Sequence, residues 1–153
     1  MERRAIVSRP GEGRKVHVFG AVLTIRVASA DTGGDFAVWE ETAPPGSGPP
    51  RHIHHRLDEA FQVLEGHYQV WCDGRLYELE PGALAMIPMG TPHAFRCVGA
   101  SPGRMLTTVV PGGLDDFLIE IEAAGFKLPD DLARLMALGA RYGHEFVGPP
   151  IGD

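Results

Sequence analysis

Three of the seven histidines crowd into one stretch, Arg51-His52-Ile53-His54-His55-Arg56, and Glu59 follows five residues after His54. In an extended strand, residues i and i+2 share a face, so His52 and His54 can aim two imidazoles at one point. Neutral imidazole suits first-row divalent metals, and a carboxylate adds a further ligand that offsets the ion's charge. Glu59 opens the next apolar run and can supply that carboxylate. His93, which follows the turn Pro88-Met89-Gly90-Thr91-Pro92, offers a fourth donor. The expected chemistry is therefore one divalent transition metal held by His52, His54, Glu59 and His93, with iron, manganese, nickel and zinc all compatible. The same alternation turns His55 away, although a local bulge would exchange its role with that of His54. Cys97 sits four residues past His93, about 13 Å away along a strand, too far for a thiolate bond to the same ion. His17, His67 and His144 lie outside these stretches and read as ordinary surface or partly buried residues.

Such a cluster needs strands to hold it, and the chain offers them. Glycine (20) and proline (13) punctuate short runs of period-two alternation. These runs are 22–27, 36–39, 60–64, 67–72, 75–79, 83–87, 93–98 and 104–110, with turn signals every 8–12 residues, the pattern of an antiparallel barrel or sandwich. Asp73-Gly74 is a two-residue hairpin signal, and Glu80-Pro81-Gly82 and Ser101-Pro102-Gly103 are further breakers. The last third changes period. Leu114, Phe117, Leu118 and Ile121 form one apolar helix face, with Asp115 and Asp116 in its first turn and Gly125 as its stop. A second helix is expected from Pro129-Asp130 to near Gly143, burying Leu132, Leu135, Met136 and Gly139. The end, Gly148-Pro149-Pro150, reads as a tail.

The bulk properties bound the function. A chain of 153 residues can bury a real core, and its 44% hydrophobic and 22% charged content is that of an ordinary globule. The net charge of -6 argues against a nucleic-acid partner. No apolar run is long enough for a membrane helix or, near Met1, for a signal peptide. The expectation is a cytoplasmic protein whose Cys72 and Cys97 are free thiols.

The spacing resembles the two motifs of the cupin superfamily. Gly46, His52, His54, Glu59 and Gly66 match every interval of the first, over residues 46–66. Gly82, Pro88, Gly90 and His93 match the second, over 82–97, with Cys97 in place of its final asparagine. The run from His52 to Gly66 is similar to a branch labelled quercetin dioxygenase-like. The resemblance implies an all-β fold: a double-stranded β-helix, or jelly-roll-like, barrel over residues 1–110. Two short C-terminal helices in 111–153 would pack on it. It also implies a homodimer, with the strand around Leu23 to Val27 as the contact. Phe61 and Phe95, each two residues beyond a ligand, are expected with Met86 to line an apolar substrate pocket, plain barrel core being an equal reading for the two phenylalanines. The pattern leaves open which face Trp39 and Met89 take. Three functions are compatible. The first is a metal-dependent dioxygenase for a small aromatic or enolic substrate, with Glu59 doubling as a base. The second is a non-redox isomerase, cyclase or lyase, and the third a small-molecule-binding module. A fold of this kind hosts many functions.

Overall fold

The computed structural model describes residues 2–152, and within them the chain builds two antiparallel sheets. The first takes β1 (Arg14–Val18), β2 (Ala21–Val27), β3 (Ala37–Ala43), β10 (Gly103–Val110), β5 (Asp58–Glu65) and β8 (Leu84–Ile87), in that spatial order. The second takes β11 (His144–Gly148), β4 (Arg51–His54), β9 (His93–Val98), β6 (His67–Cys72) and β7 (Arg75–Leu79). Helix α1 (Ser29–Thr32) follows β2, and α2 (Leu114–Ala124) and α3 (Leu132–Arg141) precede β11. The architecture is mostly β, with the C-terminal helices expected from the sequence.

Alternation explains the core. Along β10, Met105, Thr107 and Val109 are buried, and their partners on β5 and β3 carry the same face inward: Phe61 and Val63 on one side, Ala37, Trp39, Glu41 and Ala43 on the other. Each large apolar side chain among them contributes roughly 1.5–3 kcal/mol by leaving water. The Asp73-Gly74 hairpin forms as expected, with φ of 46° and 83°, the left-handed pair that such a turn requires. Gly48 is needed for a different reason. A Cβ there would sit 2.0 Å from the Phe95 carbonyl oxygen, so only glycine lets the segment before β4 press onto β9.

The C-terminal third departs from expectation in two ways, in α3 and in the segment after it. Helix α2 buries its expected face and is fixed at its start by Asp115, which accepts from the Ser29 backbone N–H at 2.8 Å and from the Ser29 hydroxyl. Helix α3, in contrast, buries only Leu135 and Gly139, leaving Leu132 and Met136 over 40% exposed. The reason is a narrow contact: Gly139 lies so close to β11 that a Cβ would meet the His144 carbonyl oxygen at 2.8 Å. Finally, the chain after α3 is no loose tail. It forms β11 beside β4, and beyond it the Arg51 guanidinium donates to the Pro149 carbonyl at 2.9 Å.

The strand expected at the dimer contact, around Leu23 to Val27, lies inside its sheet. Strand β2 is hydrogen-bonded on both sides, by β1 and β3, and Leu23 and Ile25 are buried, so β2 offers no open edge. The short strand β1, which alternation had not revealed, takes the edge instead.

Candidate metal centre

The four sequence-predicted ligands converge. His52 and His54 point inward from β4, His93 lies opposite His52 on β9, and Glu59 enters from β5 in the facing sheet. One donor atom from each lies within 4.8 Å of every other, and all four side chains are buried. Ring centroids are 4.3 Å apart for His52 and His93 and 4.8 Å for His52 and His54.

Hydrogen bonds prepare the rings for a cation. His52 Nδ1 lies 2.7 Å from the Pro50 carbonyl and His93 Nδ1 2.9 Å from the Thr91 carbonyl. A carbonyl only accepts, so each Nδ1 carries a proton and each Nε2 faces the cluster. Backbone carbonyls that hold a histidine's outer nitrogen orient it for a metal. Glu59 Oε2 lies 2.9 Å from His93 Nε2 and 3.2 Å from His54 Nε2. Three imidazoles and one carboxylate, closely spaced and turned toward one point, fit a first-row divalent metal.

The electrostatics agree. Burial, then the neighbouring rings of His93, His144 and His54, holds His52 well below the usual histidine range, so it stays neutral. Burial opposes ionisation of Glu59, but the charges and hydrogen bonds of His54 and His93 outweigh it and hold the carboxyl well below its ordinary value. Burial opposes protonation of His93, yet its hydrogen bond to Glu59 and the charge of that carboxylate raise its pKa. When His93 is protonated, its Nε2–H points at the Glu59 carboxylate 2.9 Å away, and a divalent cation would displace that proton.

His55 is exposed and turned outward, its Nε2 2.6 Å from Glu145. His17 is exposed and meets Glu122, and His67 is exposed. His144 corrects the expectation. It is buried, stacked on His52 at 4.7 Å and 9°, and among the described residues neither ring nitrogen has a hydrogen-bond partner. Burial, then the charge of His54, pushes its pKa down to about 3. Gly143 as a stop, followed by His144-Glu145-Phe146-Val147, carried a faint strand signal for this segment.

The cluster opens on a cavity walled mainly by apolar side chains, among them Phe19, Leu23, Trp39, Phe95 and Leu118. It is narrow: about 50 Å³ is open to the centre of a water-sized sphere, room for a few waters. Phe95 lines it, and Phe61 is buried against Phe95 with ring centroids 5.4 Å apart. Met86 does not line it. Its neighbour Ile87 pairs with Glu59 and shares the inward face, so parity turns Met86 outward, where it is 58% exposed. Cys97 is fully buried opposite Tyr68, and both cysteines are free thiols. Among the wall residues not foreseen is Glu41, buried on β3. Two steps beyond Trp39, it shares that residue's face, but the sequence alone left the face of Trp39 open.

Residues 39–109 match the cupin domain family. The chain is 31% identical to quercetin 2,3-dioxygenase of Bacillus subtilis over 72% of its own length, and it spans about a third of that relative (33%). Among solved structures, KdgF from Halomonas sp. superposes with a TM-score of 0.66 at 19% identity, covering 74% of this chain and 99% of that one. The polyketide cyclase RemF from Streptomyces resistomycificus gives 0.60 at 23% identity, covering 72% and 80%. Fold, motif spacing, donor cluster and sequence similarity agree: residues 39–109 form a cupin domain.

Proposed function

We propose that this cupin is a metal-dependent dioxygenase acting on a small aromatic or enolic compound. The observation that carries the reading is a buried three-histidine, one-carboxylate cluster at the wall of an apolar cavity, in a chain similar to a quercetin dioxygenase. His52, His54, Glu59 and His93 would hold the metal. When bound, it supplies a Lewis acid and, where redox-active, a path for electrons. The protein's own groups do the rest. Glu59, a buried carboxylate on the cavity wall, is placed to accept the hydroxyl proton of a substrate whose acidity a bound metal would raise. Phe95 and Trp39 hold the apolar part and exclude water, with Phe61 backing Phe95, and the narrow cavity limits the guest to small molecules.

The test is oxygen consumption with catechols and enolic diketones by the iron, manganese and nickel forms, beside turnover by the zinc form. Substrate-dependent oxygen uptake by a redox-active form supports the dioxygenase. Turnover by the zinc form without oxygen uptake would replace it with an isomerase, cyclase or lyase. Binding with neither would leave a small-molecule-binding protein.

The reading takes residues 1–110 as the barrel and 111–153 as an extension that packs on it and adds β11 to the edge of its second sheet. It also takes the protein to be a cytoplasmic homodimer. Light scattering is expected to give twice the 16.5 kDa chain mass; a monomer at all concentrations would exclude the pairing.

A further inference from the structure

Glu41 breaks the rule of its own strand. The inward positions of β3 are Ala37, Trp39, Glu41 and Ala43, and the strand neighbours of Glu41 are Met105 on β10 and Leu23 on β2, both buried and apolar. Only 5% of the residue is exposed, and among the described residues no hydrogen bond or ion pair reaches its carboxyl. Its side chain nevertheless forms part of the cavity wall that also carries His52, His54 and Glu59. Its carboxyl has no protein partner among the described residues and stands at the cavity wall, so a partner supplied from the cavity is the natural explanation. Burial, then the negative charge of Glu59, pushes the Glu41 pKa up to about 8, which leaves a neutral acid with an O–H to donate near pH 7.

Its place along the barrel says which end of a guest it meets. Glu59 lies across β10 from Ala37, through Val109. Glu41 is four residues further along β3, so its backbone is about 13 Å from that row at roughly 3.3 Å per residue. The metal cluster and Glu41 therefore address separate parts of one cavity.

We propose that Glu41 is a ligand-positioning residue: its carboxylic acid donates a hydrogen bond to a carbonyl or hydroxyl oxygen that the guest carries away from the end held at the histidine cluster. The site thereby selects small compounds with two separated oxygen functions. This rests on the functional reading above, since it takes the guest's other oxygen to bind at the metal.

The experiment compares catechol with acetylcatechol, which adds a carbonyl opposite the hydroxyl pair, by calorimetric titration of zinc-loaded protein; zinc is not redox-active and leaves both compounds intact. The acetyl group also changes catechol acidity, so the informative quantity is the preference ratio in wild type divided by that in a variant. Glu41→Leu is expected to lower the ratio about 10-fold, the worth of one hydrogen bond lost to an apolar group. Glu41→Gln, which keeps an N–H donor, should restore most of it. Glu41→Met, matched to the neighbouring Met105, serves if the leucine variant does not fold. Zinc content and melting midpoint establish that each variant is intact. Equal ratios in wild type, Leu or Met, and Gln proteins overturn the role of Glu41, as a purely structural acid bridged by buried water to the unpartnered Tyr68 hydroxyl would predict. Wild-type protein that binds neither compound overturns the functional reading itself, and the proposal with it.

Discussion

His93→Ala is expected to weaken metal binding by ~100-fold or more, while His55→Ala leaves it within about threefold. Losing a residue that merely orients a ligand typically costs 10–100-fold, and removing a ligand outright costs at least as much. His93 is the only ligand from the second motif, sits 1% exposed, and its Nε2 lies 2.9 Å from Glu59. Alanine would remove a donor and leave Glu59 with His54 alone. His55, exposed and paired with Glu145, touches none of the four.

The pH dependence follows from the same pair. A metal must displace the proton that a protonated His93 points at Glu59, so binding releases a proton whenever His93 is protonated in the free protein. Because the His93 pKa is raised, affinity is complete above that raised value and falls as pH drops through it, by about tenfold per unit for one proton. The fall should thus begin above the ordinary histidine value of about 6.5. His52, held neutral by burial, does not compete near neutral pH. Competition titrations against a coloured chelator between pH 5.5 and 8.5, a range spanning roughly the histidine pKa region, measure both effects. Loss of binding in His55→Ala with retention in His54→Ala would show that the strand register at β4 is wrong.

His52 and His54 were legible from local geometry, because period-two alternation gives them one face and turns His55 to the other. Glu59 and His93 were legible through the motif spacing, while the β5–β8 and β4–β9 pairings are what bring them beside the other two. What escaped the sequence depends on long-range pairing. His144 becomes a neighbour of the centre because β11 pairs with β4, His144 opposite His54, ninety residues apart in the chain. Nothing near His144 announces that partner. Glu41 escaped for a similar reason: only the alignment of β3 against β10 shows that Trp39 faces inward, and hence that Glu41 does. Met86 failed on parity alone, which its pairing with Ala60 on β5 decides. In α3 the apolar spacing was real, but a helix touching the barrel through a glycine buries a narrower stripe than its pattern offers.

Phe117→Ala is expected to destabilise the protein by roughly 3–5 kcal/mol, the usual cost of removing a large buried aromatic. Phe117 is fully buried on α2, with its ring centroid 5.3 Å from that of Tyr142 and 4.9 Å from that of His144. It therefore joins the helix to the strand that backs the metal centre. Alanine would lose the transfer free energy of the ring and leave a void that β11, held against β4 by its backbone ladder, cannot readily collapse into. For a chain of this size each kcal/mol moves the melting midpoint by about 2–4 °C, so a drop on the order of 10 °C is expected in calorimetry. Val147→Ala, on the same strand but 42% exposed, is the control and should shift stability by no more than about 0.5 kcal/mol. Because the damage falls on α2 and β11, their amide protons should lose hydrogen-exchange protection before those of β10, which lies between β3 and β5. A Phe117→Ala protein that melted with wild type would mean that the extension does not support the barrel, and that His144 keeps its place by strand pairing alone.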